Sequence, residues 1–155
     1  MQVRSAHVVE REIAPPHVSG DEWFARAAAL EGTDDAAAID AYEQAIEADP
    51  ELIDARVNLG RLLHANGRLE EAERVYRHAI DAKVHDAVLV YNLGVLLEDL
   101  DRKLDAAEAY KTALSLDPTL ADCHYNLALL YDALARPREA IRHMSHYRRM
   151  TDKPR

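Results

Sequence analysis

The sequence predicts an all-α protein built as a stacked array of helix pairs, and three observations lead there. The string NLGRLLHANGRLEEAERVYRHAI at residues 58–80 returns as NLGVLLEDLDRKLDAAEAYKTAL at 92–114 and as NLALLYDALARPREAIRHMSHYR at 126–148. Asn58, Asn92 and Asn126 thus stand at a fixed interval of 34 residues, and a period of roughly 20–50 residues marks a solenoid. Within a copy the apolar residues recur at helical spacing: Leu59, Leu62 and Leu63, then Ala72, Val75, Tyr76, Ala79 and Ile80. The composition agrees, with 48% hydrophobic and 30% charged residues and only five Gly and six Pro in 155. That is the balance of a folded chain rich in helix formers.

The elements follow in order. Residues 1–20, MQVRSAHVVEREIAPPHVSG, lie outside the array, with a β-prone patch at Val8-Val9 and Pro15-Pro16 ahead of the first helix. They read as an extended or disordered arm, or as one that packs on a groove. The array occupies 21–150, in units of approximately 21–50, 51–84, 85–118 and 119–150, and a tail of 151–155 remains. The first unit ends in a helix with Ala38, Tyr42, Ala45 and Pro50 in phase. Its opening stretch DEWFARAAALEG fits with one residue deleted before Ala38, which sets Trp23 four residues ahead of Ala27 and Leu30 in the core. The second unit turns at Asn66-Gly67, where Gly takes positive φ without steric cost. Small residues recur where helices must meet, at Gly60, Gly94 and Ala128 and at Ala72, Ala106 and Ala140. Leu63, Leu97 and Tyr131, with Tyr76, Tyr110 and Met144, fill the space between. Asp49-Pro50 and Asp117-Pro118 close two units. The last helix spans 137–150 and turns Arg142, His146 and Arg149 outward.

These residues resemble the tetratricopeptide repeat. The matches are Leu59-Gly60, Leu63, Ala72, Tyr76 and Ala79, then Leu93-Gly94, Leu97, Ala106, Tyr110, Ala113 and Pro118, then more weakly Leu127-Ala128, Tyr131, Ala140, Met144 and Tyr147. The resemblance implies about four repeats, eight helices, in a right-handed superhelix whose first helices line a concave face. The wording of residues 21–50, with NLGVLLED and the closing HYRRM, is similar to the repeat region of bacterial proteins that carry a MerR-like helix-turn-helix. Such a DNA-binding segment is not found in these 155 residues.

No catalytic grouping stands out. There is no Gly-rich phosphate loop, no G-x-S-x-G and no H-E-x-x-H. Cys123 reads as a buried core thiol, and a lone Cys suits a reducing, cytoplasmic setting. His143 and His146 share a helix face but lack a third ligand, and read as solvated. The acid pairs Asp34-Asp35, Glu70-Glu71 and Glu98-Asp99 read as helix starts or outer faces. Neither cofactor nor metal is expected. The formal charge of −9 argues against direct nucleic-acid binding, and no apolar run reaches the roughly 20 residues of a membrane span. Residues 136–155 carry a net +5 and the preceding 135 residues −14. That contrast suits weak self-association or an acidic partner.

The resemblance turns the repeated Asn into a candidate site. In that geometry Asn58, Asn92 and Asn126 point into the groove, where an amide pairs with any peptide backbone. Val57, Tyr91 and Tyr125 stand beside them, and one turn on come Arg61, Val95 and Leu129, then His64, Glu98 and Asp132. These twelve residues make a peptide-binding groove for a protein partner, or else the Asn residues tie neighbouring helices together. Family members that clamp a C-terminal carboxylate use Lys and Arg at set positions. Here those positions are Trp23, Ala27, Asn58, Val88 and Asn92, or one repeat later Val57, Arg61, Asn92, Asp122 and Asn126, so such a clamp is not expected. The predicted function is a non-catalytic interaction module, with the effector or oligomerisation part of a bacterial transcription regulator as the alternative.

Overall fold

The computed structural model describes residues 18–152, and all regular structure in them is α-helical. Eight helices follow one another: α1 (Gly20–Leu30), α2 (Asp35–Ala48), α3 (Ile53–Ala65), α4 (Leu69–Asp81), α5 (Ala87–Asp99), α6 (Lys103–Leu116), α7 (Ala121–Ala133) and α8 (Pro137–Thr151). They pair as α1–α2, α3–α4, α5–α6 and α7–α8, and each pair packs on the next. The expected arm falls outside the described residues except for its last three. Of these, Ser19 caps α1 with its hydroxyl on the Glu22 amide while Glu22 reaches back to the Ser19 amide, a reciprocal cap. α1 therefore starts at Gly20. At the other end α8 runs through Thr151, and residues 153–155 lie outside the description.

The turn inside each later pair follows one recipe. Gly67, Asp101 and Ala135 take φ of 74°, 55° and 56°, and the next amide bonds back across the helix end: Arg68 to Leu63, Arg102 to Leu97 and Arg136 to Tyr131, at 2.8–2.9 Å. This left-handed closure satisfies carbonyls a helix end would otherwise orphan. Only Gly67 adopts it free of strain. Each Arg then pairs with the acid three residues on, Glu71, Asp105 or Glu139.

The core explains the small residues. A Cβ on Gly60 would lie 2.2 Å from Tyr76 Cε1, and one on Gly94 would lie 2.5 Å from Tyr110 Cε1. The bare backbone of each first helix is the seat for the ring of its own second helix, and Tyr42, Tyr76 and Tyr110 are wholly buried. In the last pair the more pliable Met144 stands where the Tyr residues do, and there Ala128 is accommodated. In the first pair Phe24 packs edge-on against Tyr42 at 5.6 Å, as Tyr91 packs on Tyr110 at 5.7 Å. Tyr42 donates to Glu31 as Tyr110 donates to Glu98. Both correspondences hold when one residue is missing from the first unit, which sets Ala27 opposite Gly60 and Gly94.

The junctions between pairs differ. After α2 and after α6 the chain turns through Pro50 and Pro118, whose carbonyls meet Arg56 and the His124 ring. Between α4 and α5 the linker is 82–86, with Val84 for Pro, Lys83 at φ 61°, and Val90 where the other junctions have Arg56 and His124. A cleft of about 350 Å³ lies among α4, α5 and α6, lined by Ile80, Val90, Leu93 and Leu97 together with Arg77, Arg102 and the outer face of α6.

Candidate functional site

The first helices α3, α5 and α7 carry the twelve candidate residues, and none of the twelve is fully buried. Side-chain bonds join successive first helices into one face: Arg61 to Glu31 at 2.5 Å, His64 to Asp99 at 2.6 Å and Asn126 to the Tyr91 hydroxyl at 3.1 Å. On α3, Val57, Asn58 and His64 are half-buried and Arg61 is exposed; on α5, Tyr91, Asn92, Val95 and Glu98 are half-buried. On α7, Asn126 is half-buried while Tyr125, Leu129 and Asp132 are exposed. A pocket of about 320 Å³ lies between α5 and the start of α7, lined by Val88, Tyr91, Asn92, Leu120 and Asp122 among others.

The Asn ladder is partly engaged from within. Asn58 donates its amide to the Tyr42 hydroxyl at 3.1 Å and Asn126 to that of Tyr91. Asn92 sits beside the Tyr76 hydroxyl without completing a bond. The donors of Asn58 and Asn126 thus tie helices together, as the structural alternative expects, and each keeps an amide oxygen. Tyr42 then donates to Glu31, which also receives Arg61. Burial pushes Glu31 up, but the bonds from Tyr42 and Arg61, with the Arg61 charge, outweigh it and hold the carboxyl below its ordinary range. Burial first, and the Glu31 bond second, push Tyr42 up to about 12.

The middle repeat breaks this pattern. The place of Glu31 and Glu98 is taken by His64, which turns to Asp99 instead. The Tyr76 hydroxyl is left buried and unpartnered among the described residues. Glu98 and Asp99, expected at a helix start or outer face, in fact close α5 and accept from Tyr110 and His64.

Comparison with known proteins agrees with this geometry. Two tetratricopeptide-repeat families match, at residues 29–93 and 105–134, together more than half of the chain. The chain is a tetratricopeptide-repeat solenoid. A crystal structure of MamA superposes with a TM-score of 0.70 at 25% identity, covering 85% of this chain and 74% of that one. MamA from Desulfovibrio magneticus gives 0.74 at 19% identity, over 87% and 78%. A tetratricopeptide repeat protein from Parabacteroides merdae gives 0.76 at 21% identity, over 87% and 54%. These likenesses concern the fold. Comparison with curated proteins found no significant match.

The closing pair of this tetratricopeptide solenoid holds a second polar centre, which corrects the sequence reading of its histidines. His143 is buried, and its Nδ1 lies 2.9 Å from Nδ1 of buried His124. His146, expected on the outward face, is half-buried and stacks on His124 at 4.9 Å. The neutral tautomers follow from the partners. His124 Nε2 faces the Pro118 carbonyl at 3.2 Å and must donate, so its Nδ1 accepts and His143 Nδ1 donates. Burial, then the charges of His124, Arg142 and His146, push His143 down to about 4. Burial also lowers His124, against the pull of the Pro118 carbonyl. Among the described residues no group of three or more His, Cys, Asp or Glu is placed to hold a metal, and no helix is long and apolar enough to cross a membrane. Cys123 is buried, meets the Tyr110 carbonyl at 3.4 Å, and is pushed up to about 12 by burial, which keeps it a thiol.

Proposed function

We propose that this chain is a non-catalytic protein-interaction module whose first-helix face holds a peptide segment of a partner. The observation that carries the reading is the exposure of apolar side chains on that face. Val88, Tyr125 and Leu129 are 45%, 40% and 48% exposed, three of the seven large hydrophobics so exposed among the described residues. They cluster on α5 and α7 beside half-buried Tyr91 and Val95. Exposed apolar residues gathered on one concave surface mark an interaction site, and Tyr is favoured in such sites. The free amide oxygens of Asn58 and Asn126 add acceptors for a bound backbone.

The test is affinity capture from the native cell, with wild type against Val88→Ser/Tyr125→Ser/Leu129→Ser. A partner held by the wild type should be lost from the variant, and circular dichroism should show its helices intact although Tyr125→Ser removes a ring packed 5.0 Å from that of Tyr147. A partner retained by the variant moves the binding surface elsewhere. An Asn58/Asn92/Asn126 alanine variant is a poorer probe, because it removes the bonds to Tyr42 and Tyr91 as well.

The likeness of residues 21–50 to regulators with a MerR-like domain favours a second reading, the effector part of a transcription regulator; a helix-turn-helix encoded in the same reading frame decides it. The charge contrast between the acidic body and the basic α8 supports weak head-to-tail self-association. Sedimentation velocity at low and high salt tests that, because screening shortens the reach of such contacts.

A further inference from the structure

We propose that the α7 part of this face selects a basic segment: an extended peptide with an apolar side chain between two Lys or Arg residues, about four positions apart. The proposal rests on the peptide-groove reading above and names the chemistry of the occupant. Asp122, Tyr125, Leu129 and Asp132 are spaced three, four and three residues apart. That spacing sets them in one stripe along a helix, and all four are exposed. The stripe reads acid, aromatic, aliphatic, acid.

The corresponding groups on the neighbouring helices are already engaged. Arg61 is bound to Glu31 and His64 to Asp99. Glu98 accepts the Tyr110 hydroxyl. Asp122 and Asp132 have no ion pair or side-chain hydrogen bond among the described residues, so α7 offers carboxylates still open to a ligand. The Asp122 end opens into the pocket between α5 and α7, where Val88, Tyr91 and Leu120 supply apolar wall. A Lys or Arg stem lies against such a wall while its charge reaches a carboxylate. Asp122 and Asp132 are ten residues apart, roughly 15 Å along the helix axis, which an extended chain at about 3.3 Å per residue covers in four to five positions. An apolar residue midway then rests on Tyr125 and Leu129. The same two carboxylates disfavour an acidic segment.

The experiment pans a random dodecapeptide phage library against the full chain, then measures the enriched sequences as labelled synthetic peptides by fluorescence anisotropy. Peptides with Lys or Arg four or five positions apart around an apolar residue are expected. Asp122→Asn/Asp132→Asn should weaken their binding by roughly fivefold, the range for two exposed ion pairs, while Asp81→Asn on α4 leaves it unchanged. Enriched peptides without basic residues overturn the proposal. So does binding that ignores Asp122→Asn/Asp132→Asn yet is lost in Tyr125→Ser/Leu129→Ser, and that result leaves the groove reading standing. Peptides that bind all these variants equally, or a library that yields no binder, overturn both.

Discussion

Acidification should loosen the last helix pair, and the buried imidazoles set by how much. His143 sits at about 4 in the fold against an ordinary value of 6.5. Between those values the unfolded chain takes up a proton that the folded chain refuses, so stability is complete above pH 6.5 and falls as the pH drops. Each pH unit below 6.5 removes about 1.4 kcal/mol. Going from about pH 7.5 to about pH 5 therefore costs about 2 kcal/mol from His143 alone, with His124 adding in the same direction. The physical cause is specific. Burial of the ring away from water disfavours its charged form first, and the neighbouring His124, Arg142 and His146 add repulsion to a proton placed there. Urea unfolding followed by circular dichroism, in steps of pH, measures the loss. His143→Phe keeps a ring of similar size and should flatten the slope, at some cost in stability at neutral pH because His124 Nδ1 loses its donor. A wild-type midpoint that does not move between neutral and mildly acid pH, or a variant with an unchanged slope, would refute the assignment.

Other outcomes follow from the packing. Gly60→Ala should destabilise by about 1–3 kcal/mol, because its Cβ meets the enclosed ring of Tyr76 and overpacking outweighs the small gain in helix propensity; an unchanged melting temperature would show that the ring has room to move. His64→Gln should stabilise by about 1 kcal/mol, since its amide oxygen can accept the orphaned Tyr76 hydroxyl as the Glu31 and Glu98 carboxylates do for their tyrosines, without setting a second negative charge against Asp99. Chemical denaturation of the two proteins compares them directly. Ala135→Gly should raise stability by roughly 0.5–1 kcal/mol by relieving the left-handed φ at the α7–α8 turn, and a decrease would mean that the Ala135 methyl is useful elsewhere.

The repeat was legible because its signals are local and periodic. Gly60 and Gly94, the tyrosines sixteen residues on and the Gly67 turn all declare themselves at a fixed spacing. The single deletion in the first unit was legible for the same reason. What escaped were contacts between residues of differing register. His124 and His143 meet across two helices, and each alone looks like an ordinary polar residue on a helix. The Asn residues were visible as a row, but their engagement by Tyr42 and Tyr91 depends on how far one pair leans on the next. The missing partner of Tyr76 had one usable signal: His64 departs from the Glu that occupies its position in the first and third units.

The seam between α4 and α5 bears on how this molecule yields. In a linear array each unit is held by its own fold and by its neighbours, so the chain behaves as a row of links of unequal strength. The outer junctions each carry a proline turn with its carbonyl fastened from the next helix. The middle one carries a longer, strained linker and an open cleft. Side chains brace it in place of a fastened turn: α3 packs directly on α5, His64 meets Asp99, and Glu73 takes Arg102 from across the seam. The middle link is therefore held by charges as well as packing, and it is the one that salt and acid can slacken.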